Sequence, residues 1–377
     1  MVNFNVPPSM GDEIVYMEQA IQGQRTAGDG PFTKKCNKWF CDRLGTQAFY
    51  LTTSGTSALE MAAWLCDLNP GDEVILPSFT FSSTANAFLQ RGARLVFVDV
   101  RPDTMNIDET KIEAAITDKT KVITVVHYGG VACEMDVIMD IARRHGLKVV
   151  EDAAQAVSAF YHGIPLGTIG DFGCFSFHET KNYSMGEGGG IAIRDAAYNE
   201  KAEILREKGT DRSRFFRGQV DKYTWQDYGS SLLPSDILAA YLWSQLQRSD
   251  QIDASRMTTW QAYHDAFEPL ADRGLIDLQT IPNGCQHNAH LFYLKLKDVE
   301  ERTSFIDYLR KQGVASVFHY VPLHSAPAGL KYGRFSGEDV YTTQESERLT
   351  RLPMYYGMTD EDRQTVINAV LTFFDGR

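Results

Sequence analysis

From about residue 47 to residue 195 the chain alternates between two periods. The short apolar runs EVILP, LVFVDV, VITVVHY, KVVED and FGCFSF are separated by stretches with helical spacing, among them 55–66 and 134–145. In the second stretch Met135, Ile138, Met139 and Ala142 fall on one helical face. Strand-like runs that are apolar throughout need cover on both faces, so this pattern predicts an α/β domain around a large, mostly parallel sheet. Ligands of such sheets bind beyond the carboxyl ends of the strands. Pro77, His127 and Asp152 each follow an apolar run and are expected at that edge. A helix near 234–248 leads into a polar stretch, QRSDQIDASRMTTWQAYHDAF, where a domain boundary is expected near 250. Residues 1–250 then form the large domain and 251–377 a small α+β domain. In the small domain NAHLFYLKL reads as a strand, TSFIDYLRKQG as a helix and SVFHYVPL as a second strand.

At 377 residues the chain is long enough for that pair of domains and a substantial core. A net charge of −12 makes nucleic acid a poor partner, although a local pocket can still be positive. No apolar run approaches the roughly 18 residues of a membrane helix. The start, MVNFNVPPSMGDE, lacks the basic-then-apolar order of a signal peptide, so the cytoplasm is the expected location. The six cysteines, Cys36, Cys41, Cys66, Cys133, Cys174 and Cys285, are scattered, and neither they nor the nine histidines form a metal motif.

Lys181 lies in SFHETKNYSMGEGGG, between the run ending at Phe177 and a glycine-rich turn. An amine presented there and partly desolvated has a depressed pKa and condenses with aldehydes. Asp152 closes KVVED and is a candidate carboxylate for a pyridine nitrogen; Gln155, one turn on, is a candidate to hydrogen-bond a phenolic oxygen on the same ring. Thr56 and Ser57 open a helix after Ser54-Gly55, and their N–H groups suit an anion. Each also has a plain structural explanation: a solvated acid, a helix residue, an N-cap. Phe81 in PSFTFSSTAN is either core or a stacking face, and Ser176 either a strand serine or a phosphate ligand. His178 and Glu187 flank the lysine. The run REKGTDRSRFFRGQVDK, with Arg206, Lys208, Arg212, Arg214, Arg217 and Lys222, is a solvated loop or a diphosphate site.

The order SGTSAL, PSFTF, EDAAQ, SFHETKN and GEGGG resembles the sugar aminotransferases of the DegT/DnrJ/EryC1/StrS family, nearly end to end. That resemblance implies the pyridoxal phosphate (PLP) fold type I, like aspartate aminotransferase. It also implies Lys181 as the residue bonded to PLP, Asp152 at its ring nitrogen and Gln155 at its ring oxygen. Phe81 would stack on the ring, and Thr56, Ser57 and Ser176 would bind its phosphate. Within the family, RPDTMNIDETKIEAAITDKTK, VHYGGVACEMD, REKGTDRSRFFRGQVDKYTW and FHYVPLHSAPAG resemble members that serve enterobacterial common antigen. Those members transfer the amino group of L-glutamate to C4 of dTDP-4-keto-6-deoxy-D-glucose, giving dTDP-4-amino-4,6-dideoxy-D-galactose. The resemblance implies a homodimer with shared active sites; the candidate substrate contacts are Arg212, Arg214, Arg217 and Lys222, whose charge suits a diphosphate, with Ser231, His319, Tyr320 and His324. Many members have GYNYRMSD where this chain has Gly229 to Asp236, so Ser231 replaces an asparagine that reaches the neighbouring subunit's phosphate. Relatives with histidine in place of the lysine act as dehydratases; the retained Lys181 favours transamination. The alternatives are another nucleotide-linked keto sugar, or a non-catalytic PLP-binding regulatory protein.

Overall fold

The computed structural model describes residues 1–375. The apolar runs assemble into one eight-stranded sheet in the order 48–52, 189–193, 172–176, 148–152, 120–126, 73–77, 94–98, 333–335. All pairings are parallel except the two made by Gly189–Ile193, which runs antiparallel to both Ala48–Thr52 and Phe172–Ser176. Strands such as Phe172–Ser176 and Gly189–Ile193 are buried at every position. This is the burial expected of strands covered on both faces, with each fully buried Val or Ile contributing roughly 1.5–3 kcal/mol. Helices Gly55–Leu65 and Met135–His145 form where helical spacing predicted them. The second ends at Gly146 in a left-handed conformation (φ 64°), with basic residues in its last turn.

A second core, around Tyr263, Phe267, Phe292, Phe305 and Val370, belongs to a small domain with a four-stranded sheet. The division at 250 is crossed twice. Val2 packs in the small-domain core, and Gly333–Phe335 adds a strand to the large sheet. The helix Ser249–Asp272 spans the expected boundary without a break. SVFHYVPL is not the strand expected: only Val317–Phe318 pair, with Arg351 and Thr350, and the chain leaves the sheet at His319. Pro322 has no N–H for a ladder, and the His319 and Tyr320 rings turn instead into the space between the domains, stacked on each other at 3.6 Å. A small cluster of Phe79, Tyr128, Leu291, Tyr293 and Leu349 joins the two domains there.

Candidate active site

A cleft of about 860 Å³ opens at the carboxyl ends of the parallel strands, between the two domains. Lys181 reaches it from a loop that folds back on itself. Phe177 N–H donates to the Gly188 carbonyl (2.8 Å) and Glu179 N–H to that of Gly186 (2.9 Å). The residue as a whole is half-buried. Burial pulls its pKa down to about 8; the Asp152 carboxylate opposes that shift and Arg351 assists it. A sizeable neutral fraction at physiological pH makes the amine a nucleophile and a base.

Asp152 ends the strand Lys148–Asp152 and is 6% exposed. Thr84 Oγ1 donates to its Oδ2 at 2.7 Å and Ala154 N–H to its Oδ1 at 3.2 Å, while Thr84 is itself hydrogen-bonded to Thr80 at 2.8 Å. Burial nevertheless holds this carboxyl above the usual range. Its desolvated charge has no ion-pair partner among the described residues and suits a cationic ring nitrogen. Gln155 is fixed by its oxygen, which accepts from Gly129 N–H at 2.6 Å, so its amide N–H groups face the cleft and Tyr320 OH (3.1 Å). Phe81, 59% exposed, presents a ring on the cleft wall.

The anion end is built by close packing. Ser54 caps the helix Gly55–Leu65 by accepting from Ser57 N–H at 3.0 Å. A Cβ on Gly55 would fall 2.9 Å from Ser176 Cβ, and one on Gly189 2.4 Å from the Ser54 carbonyl carbon, so glycines let the three segments meet. Ser54, Thr56 and Ser176 line the cleft, with Thr56 Oγ1 2.7 Å from Ser83 Oγ. Ser57 is turned away: its N–H is spent on the cap and its hydroxyl lies 2.8 Å from Thr53 Oγ1. Carboxylate, amine, amide, aromatic face and helix start thus match the ring nitrogen, aldehyde, ring oxygen, ring and phosphate of PLP.

The match extends along the whole chain, because the model of the DegT/DnrJ/EryC1/StrS aminotransferase family covers residues 9–371. The chain belongs to this family. GDP-perosamine synthase of Caulobacter vibrioides is 33% identical over 98% of this chain and 97% of its own. The crystal structure of TlmJ, an aminotransferase from Streptoalloteichus hindustanus, superposes with a TM-score of 0.89 at 29% identity, covering 98% of both chains. A Streptococcus pneumoniae protein described as a sugar aminotransferase and solved in its PLP form gives 0.88 at 26% identity, over 98% of both chains. This DegT/DnrJ/EryC1/StrS member is therefore a PLP-dependent sugar aminotransferase.

The remaining candidates divide between the cleft and other places. His319 and Tyr320 line the cleft, His319 Nδ1 lying 2.6 Å from Tyr128 OH; His178 and Glu187 stand at its mouth. His324 does not reach it, being held by Ser78 Oγ (2.7 Å) and Asp339 (3.2 Å). His127 sits at the expected strand end but is fully buried, its Nε2 2.9 Å from Glu151. Arg212, Arg217 and Ser231 line a separate cavity of about 1000 Å³, Arg214 pairs with Glu200, and Lys222 is exposed. Sequence reasoning missed Thr84, His290, Arg256 and Arg351. Arg351 alone left a trace, the one charged residue in LTRLPM. Among the described residues no helix is long and apolar enough to cross a membrane.

Proposed function

We propose that this sugar aminotransferase moves the amino group of L-glutamate to C4 of dTDP-4-keto-6-deoxy-D-glucose, giving dTDP-4-amino-4,6-dideoxy-D-galactose. The observation that carries the transamination is the convergence of Lys181, Asp152 and Gln155 on one cleft. Bound PLP supplies an electron sink and carries nitrogen between the two substrates. Lys181 would hold the cofactor through its aldehyde, and its amine, once free, would move the proton at the substrate carbon that bears nitrogen. Asp152, braced by Thr84, would keep the ring nitrogen protonated. Gln155 would donate to the ring oxygen, Phe81 would offer its ring as a stacking face, and Thr56 and Ser176 would hold the phosphate.

The nature of the sugar rests on the long segments that resemble the enterobacterial common antigen enzymes. The diphosphate reading rests on the second cavity, where Arg206 pairs with Asp29 yet keeps Nε and Nη1 without a partner. Homodimerisation is supported by exposed aromatics nearby, Phe216, Trp225 and Tyr228, at 64%, 80% and 59%. GDP-perosamine synthase among the relatives favours one second reading, a GDP-linked keto sugar. NMR of the amino sugar formed from the dTDP keto sugar and L-glutamate tests the proposal. An axial C4 amine of galactose configuration is expected; the glucose epimer, an amine at another carbon, or turnover only with a GDP sugar overturns it.

A further inference from the structure

His290 stands where the chain enters the strand Phe292–Lys295 of the small domain, and its ring lines the Lys181 cleft. The turn before it is tightly held. Ala289 has a left-handed backbone (φ 48°), which an alanine rarely adopts and which persists only where the surroundings over-determine it. Here they do. Arg256 Nε donates to the Ala289 carbonyl at 3.0 Å and Nη2 to that of His290 at 2.5 Å. Asn288 Nδ2 donates to the carbonyls of Gln155 (2.9 Å) and Val157 (2.7 Å), while its Oδ1 accepts from His290 N–H at 3.1 Å. The small domain thus fixes this ring at the cleft while gripping the segment that carries Gln155.

The proton on the ring is placed by Asn182, the residue after Lys181. Asn182 Nδ2 donates to the Asn288 carbonyl at 3.0 Å; a carbonyl only accepts, so the amide orientation is settled and Oδ1 is the atom 2.9 Å from His290 Nδ1. Nδ1 therefore carries the proton. Burial, and then the charges of Lys181, Arg256 and Arg351, keep the imidazole neutral. Nε2 is left as a lone pair with no hydrogen-bond partner among the described residues. His319, the neighbouring imidazole, is also held neutral and offers no competing charge. Of the three cations Lys181 acts on the ring most strongly; Arg256 is committed to the turn, and Arg351 turns Nη2 to the Phe318 carbonyl at 3.3 Å. The Lys181 amine itself has no hydrogen-bond partner among the described residues.

We infer that His290 is a positioning residue for Lys181, its Nε2 accepting an N–H of the lysine amine whenever that amine is free and so fixing the direction in which it acts as nucleophile and base. The inference rests on Lys181 as the amine that holds PLP. PLP uptake by the cofactor-free protein is followed by absorbance across pH, and the glutamate half-reaction of the holoenzyme by stopped flow. His290→Phe removes the acceptor, and an ammonium that loses an acceptor gives up its proton more readily, so the inflection expected at about 8 should fall by roughly half a pH unit or more. Asp152 and Arg351 also act on the amine but are untouched by the change. The glutamate half-reaction should slow about tenfold, with the half-saturating L-glutamate concentration altered less than about threefold. His290→Gln, which sets a carbonyl oxygen near the place of Nε2, should restore both. Where the phenylalanine variant fails to fold, nitrogen NMR of the histidine-labelled wild type, assigned against the glutamine variant, should show Nδ1 protonated and Nε2 bare. A protonated Nε2 overturns the inference, as does an inflection that stays in place or rises in a folded variant. A fall that glutamine leaves uncorrected overturns it too, since ring packing would then be the cause. Borohydride marking of another lysine sinks the reading of Lys181, whereas a mark on Lys181 with an uptake curve indifferent to His290 sinks this inference alone.

Discussion

The Lys181 cleft and the basic cavity beside residues 206–235 are similar in size, about 860 and 1000 Å³, and both have cations on their walls. They treat those cations differently. In the basic cavity Arg217 holds Glu203 at 2.8 Å, Arg206 holds Asp29 at 2.8 Å and Arg212 faces Glu207 at 3.8 Å. In the cleft no ion pair joins a carboxylate to Lys181 or Arg351 among the described residues, and Asp152 feels the Lys181 charge without an ion-pair contact. Arg217 and Arg212, paired near the surface at a worth of about 0–1 kcal/mol each, are already satisfied and a ligand must displace their partners, whereas buried Arg206 keeps Nε and Nη1 without a partner beside its Asp29 pair. A desolvated charge without a partner is unstable until a ligand arrives, and that difference is what makes the cleft reactive.

The strongest way to break the comparison is to remove the cleft's amine. Lys181→Ala should lower turnover roughly 10⁴-fold, the upper range for a positioned proton-transfer group. Borohydride treatment of the wild type with PLP, followed by peptide mapping, should mark Lys181; a mark elsewhere refutes its role. The same amine gives a pH signature. Only its neutral form attacks an aldehyde, so PLP uptake by the cofactor-free protein should climb about tenfold per pH unit below about 8 and level off above it. An inflection near 10.5 would mean that burial in the cleft does not tune the amine.

Next in size is Asp152→Asn, which keeps the shape but removes the charge that protonates the ring. Both half-reactions should slow roughly 10²–10³-fold while PLP binding weakens far less. Near-normal rates in stopped-flow traces would make Asp152 structural. The smallest effect is expected from the paired cavity. Arg217→Gln should raise the KM for the sugar nucleotide about threefold and leave the glutamate half-reaction unchanged, in keeping with an exposed ion pair that only partly serves a ligand. Equal losses in both half-reactions would assign the loop to folding or to assembly of the dimer.

Much of this was legible in the chain itself. The change between strand and helix periods gave the large sheet because buried parallel strands must be apolar along their whole length. Lys181 and Asp152 could be expected at the sheet edge because each follows an apolar run, and Gln155 and Phe81 were named through the family resemblance; all four line the cleft. Other features depended on contacts between distant segments. Thr84 is an ordinary helix residue until folding sets it 2.7 Å from Asp152, and Ser57 is a plausible anion ligand until its N–H closes the cap on Ser54. The strand expected through His319 stopped at Phe318 because two rings were drawn into the space between domains, a choice made by packing and not by local propensity. Arg351 shows the division most clearly. The sequence shows a cation in LTRLPM and nothing more; that it lies on a strand, and which side chains the folded small domain brings to it, depends on contacts of which a one-dimensional pattern carries no record.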